Sequence, residues 1–133
     1  MLDKRKFYIN GKWVAPSKPN DLDVIDPCTE DSVATISLGS KEDTNTAVSA
    51  AKTAFESWKE SSKKERVSLL EKLLTIYKKR YSEMVDAISL EMGAPTDWSK
   101  DVQTASGQSH IEDFILRLKE FEFDKKFSPE SNN

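Results

Sequence analysis

The sequence predicts an α+β fold in which a short β-hairpin and β-meander come first and about four α-helices follow. Two observations carry this prediction. The Asn10-Gly11 pair separates two triplets of aromatic and β-branched residues, a pattern typical of a two-residue hairpin turn. From Ser40 onward, apolar residues recur at three- and four-residue spacing, as in amphipathic helices. No βαβ unit is visible, so the residues alone do not predict a dinucleotide-binding fold.

Three or four short strands are expected within the first 39 residues, and each ends at a turn or a breaker residue. The two hairpin strands are followed by a strand that Pro27 stops and by another that Gly39 ends. The segment that precedes them, residues 1–6, is predicted to be a disordered N-terminus. The predicted strands are 7–9, 12–14, 22–26 and 33–38.

Four amphipathic helices are expected over residues 40–123. Ser40 is a suitable N-cap for the first helix, and Ser62 followed by Glu65 is a capping-box pattern for the second. Gly93 is a suitable C-cap for the third helix. Gly107 interrupts the fourth helix at a cost of about 1 kcal/mol relative to alanine. The predicted helices are 41–59, 63–80, 82–92 and 97–121, with Trp58 and Trp98 as packing anchors and residues 124–133 as a polar tail.

Composition and charge exclude several classes of function. The net charge of −3 gives the chain no general attraction for nucleic acid. The cations in residues 59–80 are interspersed with a leucine stripe and are interpreted as the solvated face of a helix. No apolar run could cross a membrane and no signal peptide is visible, so a cytoplasmic protein is expected. One cysteine and one histidine provide neither an internal disulfide nor a zinc cluster.

The single cysteine, Cys28, lies in the stretch Asp-Pro-Cys-Thr-Glu and is a candidate nucleophile. A reactive thiolate requires a nearby cation, metal or helix N-terminus. The neighbouring carboxylates of Asp26, Glu30 and Asp31 would oppose the thiolate, so Cys28 is interpreted as a small turn residue. The single histidine, His110, has no visible partner and is interpreted as a helix-surface residue. No residue of the chain is predicted to be catalytic.

Three stretches carry motifs in a definite order. Residues 7–14 read Phe-Tyr-Ile-Asn-Gly-Lys-Trp-Val, residues 24–30 read Val-Ile-Asp-Pro-Cys-Thr-Glu, and residues 66–95 end in Leu-Glu-Met-Gly-Ala-Pro. In this order and spacing they resemble the opening hairpin, the (V/I)NP(A/S)TGE turn and the R...L......E.GKP segment of the aldehyde dehydrogenase superfamily. There are departures from the family pattern, since Asp26 replaces the usual Asn and Cys28 the usual Ala or Ser.

The resemblance covers residues 7–123 and implies the N-terminal part of a coenzyme-binding domain. A complete member oxidises a small-molecule aldehyde to a carboxylic acid through a cysteine thiohemiacetal, with NAD or NADP as acceptor. Complete members are expected to be homodimers or homotetramers. The NAD(P) phosphate site, the oxyanion asparagine, the general-base glutamate and the nucleophilic cysteine lie beyond the matched region. The resemblance therefore implies that this chain alone binds no cofactor and is inactive.

Two contact regions are also implied by the resemblance. Many members hold a monovalent cation between the backbone of the (V/I)NP strand and an acidic residue before the GKP glycine. Those positions match Ile25, or Val24, and Glu91, and a hard cation prefers such carbonyl and carboxylate oxygens. The alternative is that Glu91 is an ordinary surface acid near a helix end. Residues 98–118 match the helix that borders the substrate entrance in the family.

A second hypothesis comes from another functional class. Four amphipathic helices and this length would suffice for a stand-alone, non-catalytic helical domain that binds a partner. The two hypotheses differ in the surface that they predict. A large uncovered apolar face would indicate that the chain is part of a larger fold, whereas a well-covered surface would favour the stand-alone domain.

Overall fold

The computed structural model describes residues 1–124, in which short strands precede a series of helices. This order confirms the predicted α+β class. Apart from Asp124, the predicted polar tail lies outside the described residues. The strands are β1 Leu2–Asp3, β2 Phe7–Ile9, β3 Lys12–Val14, β4 Asp21–Ile25 and β5 Ser32–Ser37, and the helices are α1 Lys41–Trp58, α2 Lys63–Lys79, α3 Tyr81–Met92, α4 Thr96–Trp98 and α5 Ala105–Glu120, with a π-helical segment Ser99–Thr104 between α4 and α5.

The described strands form two separate sheets, where the sequence predicts one meander. β2 and β3 pair antiparallel around Asn10 and Gly11, whose φ angles are 52° and 73°. This pair tolerates positive φ, which is why it forms the predicted hairpin turn. In the second sheet the order is β1-β5-β4, with β1 parallel and β4 antiparallel to β5.

The N-terminal segment, residues 1–6, contains an ordered strand, so the prediction of disorder needs correction. β1 pairs with β5, and the Arg5 guanidinium contacts the carboxylates of Asp3 and Asp21 at 2.9 and 3.2 Å. The Arg5 side chain holds the pKa of Asp3 at about 2, below its usual value. A two-residue strand is too short to show a periodic pattern, and its partner lies far along the chain.

Capping boxes begin both α1 and α2, which confirms the predicted helix starts. Ser40 Oγ accepts from Asp43 N while the Asp43 carboxylate accepts from Ser40 N, and Ser62 and Glu65 repeat this exchange. The Asp43 carboxylate also accepts from Ser17 N at 2.8 Å, which fixes the linker after β3 to α1. These hydrogen bonds lower the pKa of Asp43 to about 2, and the bond from Ser17 N has the largest effect.

The fourth helical region is not one continuous α-helix, as predicted over 97–121. The π-helical segment replaces its second turn. In such a segment the N–H of residue i+5 donates to the carbonyl of residue i, which makes the turn wider. Ser99 and Thr104 of this segment are fully buried, and Ser89 Oγ of α3 donates to Ser99 Oγ at 2.9 Å. Apolar spacing does not distinguish π from α geometry here, because contacts with α2 and α3 decide the register.

Few apolar side chains are buried among the described residues: Ala34, Val85 and Ile115 are the fully buried ones. Trp58 and Trp98 are 45% and 55% exposed, so they do not act as the predicted packing anchors within this structure. The chain exposes 10841 Å² of surface, whereas a compact chain of this length exposes about 7,100 Å². Full exposure of residues 125–133 would account for only about 1,500 Å² of the excess.

Candidate functional site

The Asp-Pro-Cys-Thr-Glu stretch forms a tight turn between β4 and β5, and this turn packs against the end of α3. Cys28 N donates to the Asp26 carboxylate at 2.8 Å, and Glu30 N donates to the Asp26 carbonyl at 2.8 Å. The Cys28 thiol donates to the Gly93 carbonyl at 3.4 Å. The turn therefore connects the sheet directly to the C-terminal cap of α3.

Gly93 makes this close approach feasible. Its φ of 64° is the left-handed conformation of a helix C-cap, and its N–H donates to the Ser89 carbonyl, which confirms the predicted cap. A Cβ at this position would lie 2.8 Å from Pro27 Cγ and 2.9 Å from Cys28 Sγ. The sequence predicts the cap but not the turn that the glycine faces.

The surroundings of Cys28 differ from those of a reactive cysteine. Its thiol faces a carbonyl at the C-terminal end of α3, which is the negative end of the helix dipole. The Asp26 carboxylate belongs to the same turn. A reactive cysteine needs the opposite environment, with positive charge or a helix N-terminus nearby. The geometry suits a turn residue, and the absence of a nucleophilic role stays a prediction.

Both residues of the predicted cation site lie beside this turn. Ile25 ends β4 and is exposed, while Glu91 lies two residues before Gly93 in α3. Val24, the alternative to Ile25, and Glu91 both line a groove between the β1-β5-β4 sheet and α3. Residues 1–124 contain no cluster of three or more carboxylate, histidine or cysteine side chains arranged for a metal. A single carboxylate with backbone carbonyls suits a monovalent cation better than a divalent one. The cation site at Ile25 and Glu91 stays a prediction.

β5 is followed by Gly39 and then by the N-terminus of α1. A strand, a glycine and a helix N-terminus in this order can bind phosphate. The residues present do not fit a dinucleotide there. The Asp43 carboxylate already accepts from Ser40 N and Ser17 N, and its lowered pKa keeps a negative charge at this helix end. No strand follows α1 in the part of the chain that the structure describes. This helix N-terminus therefore does not fit a dinucleotide phosphate, and the absence of cofactor binding by the chain stays a prediction.

Two tyrosines hold the π-helical segment in place, a feature that the sequence did not predict. Tyr77 Oη donates to the Thr104 carbonyl at 2.9 Å, and Tyr81 Oη donates to the Lys100 carbonyl at 2.6 Å. Burial raises the pKa of Tyr77. π-Helical turns occur often at functional sites. Gly107 was the one local feature of the sequence that pointed to a close contact here. A Cβ at Gly107 has no room, because the Tyr77 hydroxyl occupies that space.

The segment predicted to border a substrate entrance, residues 98–118, carries large apolar side chains that remain exposed. Trp98, Val102 and Phe114 belong to this group. They lie on α4, the π-helical segment and α5, so they are accessible to a ligand or to further polypeptide. Their contact with a substrate stays a prediction.

The single histidine and the cations of the second helix lie on helix surfaces. His110 is exposed on α5. The lysines of α2 are exposed as predicted, and Lys78 pairs with Glu112 of α5 at 2.7 Å. Arg66 of α2 is instead half-buried, and its Nε donates to Ser61 Oγ at 2.9 Å. Among residues 1–124, the structure has no helix with the length and apolar character to span a bilayer.

Comparison with known proteins provides the identity of the fold. Residues 13–131 match the model of the aldehyde dehydrogenase family. A 3-succinoylsemialdehyde-pyridine dehydrogenase of a Pseudomonas species is 37% identical over 126 residues, which are 94% of this chain and 26% of that protein. The chain thus spans about a quarter of the length of such relatives.

Solved structures agree with this match. An aldehyde dehydrogenase of Bartonella henselae is 53% identical, with a TM-score of 0.95 over 99% of this chain and 28% of its own. Aldehyde dehydrogenase C of Pseudomonas syringae, solved with NAD⁺ and octanal, is 33% identical, with a TM-score of 0.91 over 93% of this chain and 26% of its own. Because the family match covers most of the residues, the chain belongs to the aldehyde dehydrogenase family.

Proposed function

We propose that this chain is the N-terminal portion of an NAD(P)-dependent aldehyde dehydrogenase and that it has no catalytic activity by itself. The observation that carries the proposal is the family match over residues 13–131 combined with coverage of only 26% of a relative. In this proposal, residues 7–123 are the first part of the coenzyme-binding domain. The remaining domain and its catalytic residues belong to the polypeptide that follows this region in longer members.

The complete enzyme would oxidise an aldehyde to a carboxylic acid through a cysteine thiohemiacetal, with NAD or NADP as the electron acceptor. The Pseudomonas syringae relative, solved with NAD⁺ and octanal, supports both the acceptor and the aldehyde class. The homodimeric or homotetrameric state and the cytoplasmic location of the complete enzyme stay predictions.

The residues of this chain would contribute structure to that enzyme. The turn at Cys28 joins the sheet to α3, and Tyr77 and Tyr81 set the register before α5. In the proposal none of these groups touches the reacting atoms. They are positioning residues for the part of the enzyme that follows.

The exposed surface argues against a stand-alone interaction domain. A self-sufficient domain of this length would cover its apolar residues, but this chain exposes 10841 Å² against about 7,100 Å² for a compact one. Exposed large apolar side chains occur on both sheets and on every long helix. This distribution supports the portion of a larger fold.

The proposal can be tested with a fused polypeptide, defined as residues 1–133 joined to the part of the Bartonella henselae enzyme that follows its matched segment. We expect this fused polypeptide to form NADH or NADPH in the presence of an aldehyde such as octanal. The intact Bartonella henselae enzyme is the matched control. A folded but inactive fused polypeptide would contradict the proposal.

Cys28→Ala in the fused polypeptide is expected to keep kcat/KM within about threefold of the parent, because the thiol faces a helix C-terminus. Removal of a true nucleophile would cost about 10⁴-fold or more. Steady-state formation of NADH distinguishes these results, with Cys28→Ser as the matched variant. A collapse of turnover in both variants, with the fold retained, would assign the chemistry to Cys28.

A further inference from the structure

A groove of about 710 Å³ separates the β1-β5-β4 sheet from α2 and α3. Both walls are largely apolar, and Arg80 and Glu83, which also line it, pair with each other at 2.7 Å. An apolar interior accompanied by a few charged groups is the usual composition of an interface between packed elements. The apolar lining comes from both walls and includes Leu2, Val24, Ile36, Leu73, Ile76 and Leu90.

The helix wall of this groove is exposed although it is apolar. Leu73, Ile76 and Leu90 are 47%, 54% and 38% exposed. Each Å² of apolar surface left in water costs about 25 cal/mol relative to burial. A sheet and helices normally bury their apolar faces against each other or against another layer. Here the sheet and helices stand apart, so the groove is an open space between two layers.

The length of the relatives indicates what that element is. The chain superposes on the Bartonella henselae enzyme with a TM-score of 0.95 over 99% of its residues, yet it accounts for 28% of that protein. The open arrangement of sheet and helices is therefore the one found inside a much longer polypeptide. The polypeptide that follows the matched region is the partner for which this arrangement is suited.

The area of exposed surface is large enough for contact with the polypeptide that follows the matched region. The excess over a compact chain is about 3,700 Å², of which residues 125–133 could supply about 1,500 Å². The remainder, roughly 2,200 Å² on this chain alone, lies in the range of obligate interfaces rather than transient ones. A small ligand would cover only part of it.

We propose that this groove is the docking surface for the part of an aldehyde dehydrogenase polypeptide that follows the matched region, and that its apolar walls close over a segment of that part. The inference rests on the proposed function, but it makes a separate statement about one surface. It states that Leu73, Ile76 and Leu90 are buried when the polypeptide is complete, while the opposite face of α2 stays in water.

Thiol labelling tests this burial directly, in a Cys28→Ser background. Leu73→Cys places a thiol in the groove, and Thr75→Cys places one on the exposed opposite side of α2, since two residues correspond to about 200° around a helix. Each variant is treated with a maleimide as the free chain and as the fused polypeptide. The modified α2 peptide is followed by mass spectrometry, so that thiols elsewhere do not interfere.

In the free chain the two thiols should react at rates within about threefold of each other. In the fused polypeptide, labelling of the Leu73→Cys variant should slow by at least about 100-fold, while labelling of the Thr75→Cys variant should stay unchanged. Labelling of Leu73→Cys at its free-chain rate would overturn the inference, and activity of the same fused protein would show whether the proposed function survives. A different result would be protection of the Leu73→Cys thiol in the free chain, to a degree that rises with the chain's concentration. That result would assign the groove to a second copy of the chain and would also overturn the inference.

Discussion

Gly93→Ala is expected to lower the free energy of unfolding by about 3 kcal/mol. Two effects add at this position. An alanine at φ of 64° is strained, and its Cβ would lie 2.8 Å from Pro27 Cγ and 2.9 Å from Cys28 Sγ. Neither obstacle can yield easily, because Pro27 is rigid and the turn is held by hydrogen bonds through Asp26. Denaturant unfolding of the 133-residue chain, followed by circular dichroism, measures the loss.

Two other glycines provide matched controls for this prediction. Gly11 has a φ of 73°, but a Cβ added there would meet nothing within 4 Å, so Gly11→Ala isolates the backbone strain, at about 1 kcal/mol. Gly39 has no positive φ, and its Cβ would make an ordinary contact with Phe7 at 3.8 Å, so Gly39→Ala should be nearly neutral. Equal losses at Gly93 and Gly11 would refute the claim that the turn packs closely on the α3 cap.

Gly107→Ala is expected to destabilise the chain by about 2 kcal/mol, although alanine is the better helix former by about 1 kcal/mol. A Cβ at Gly107 would collide with the Tyr77 hydroxyl. That hydroxyl cannot move away without losing its 2.9 Å hydrogen bond to the Thr104 carbonyl in the π-helical segment. The same unfolding measurement applies, together with amide hydrogen exchange of residues 99–104, which should become faster.

Tyr77→Phe provides the decisive partner variant for this second prediction. Alone it removes the hydrogen bond to Thr104 and should cost about 1 kcal/mol. In combination with Gly107→Ala it also removes the atom that the new Cβ would strike. The double variant should therefore be less destabilised than the sum of the single variants by about 1 kcal/mol. Strict additivity would show that Gly107 and Tyr77 do not share this space.

Features that depend on neighbouring residues could be predicted from the sequence. The hairpin at Asn10-Gly11 follows from the φ angles that these two residues tolerate. The starts of α1 and α2 follow from a serine and an acid three residues apart. The end of α3 at Gly93 follows from the ease with which glycine adopts the left-handed conformation.

Features that depend on distant partners could not be predicted in this way. β1 is ordered by pairing with β5, and the π-helical turn is set by Tyr77 and Tyr81 from other helices. The contact of Cys28 with Gly93 joins residues far apart in sequence. In each case the local pattern is compatible with more than one structure, and the tertiary contact makes the choice.

The candidate sites likewise depend on contacts between residues that are distant in sequence. Ile25 and Glu91 could be named only through the family resemblance, because neither the carbonyl of a strand nor a single glutamate has a distinctive sequence pattern. The structure brings their segments together through the turn at Cys28. Whether they bind a monovalent cation stays a prediction. The groove beside them could not be predicted from the sequence. Its walls come from strands and helices, and a periodic pattern does not specify how these pack against each other.

The central proposal is that this chain is the N-terminal portion of an aldehyde dehydrogenase and has no catalytic activity by itself. The most direct test is a steady-state assay of the purified 133-residue chain with octanal and with NAD⁺ or NADP⁺, run beside the fused polypeptide at equal molar concentration. We expect aldehyde-dependent formation of NADH or NADPH by the fused polypeptide and none by the chain alone. Aldehyde-dependent turnover by the purified chain alone would contradict the proposal.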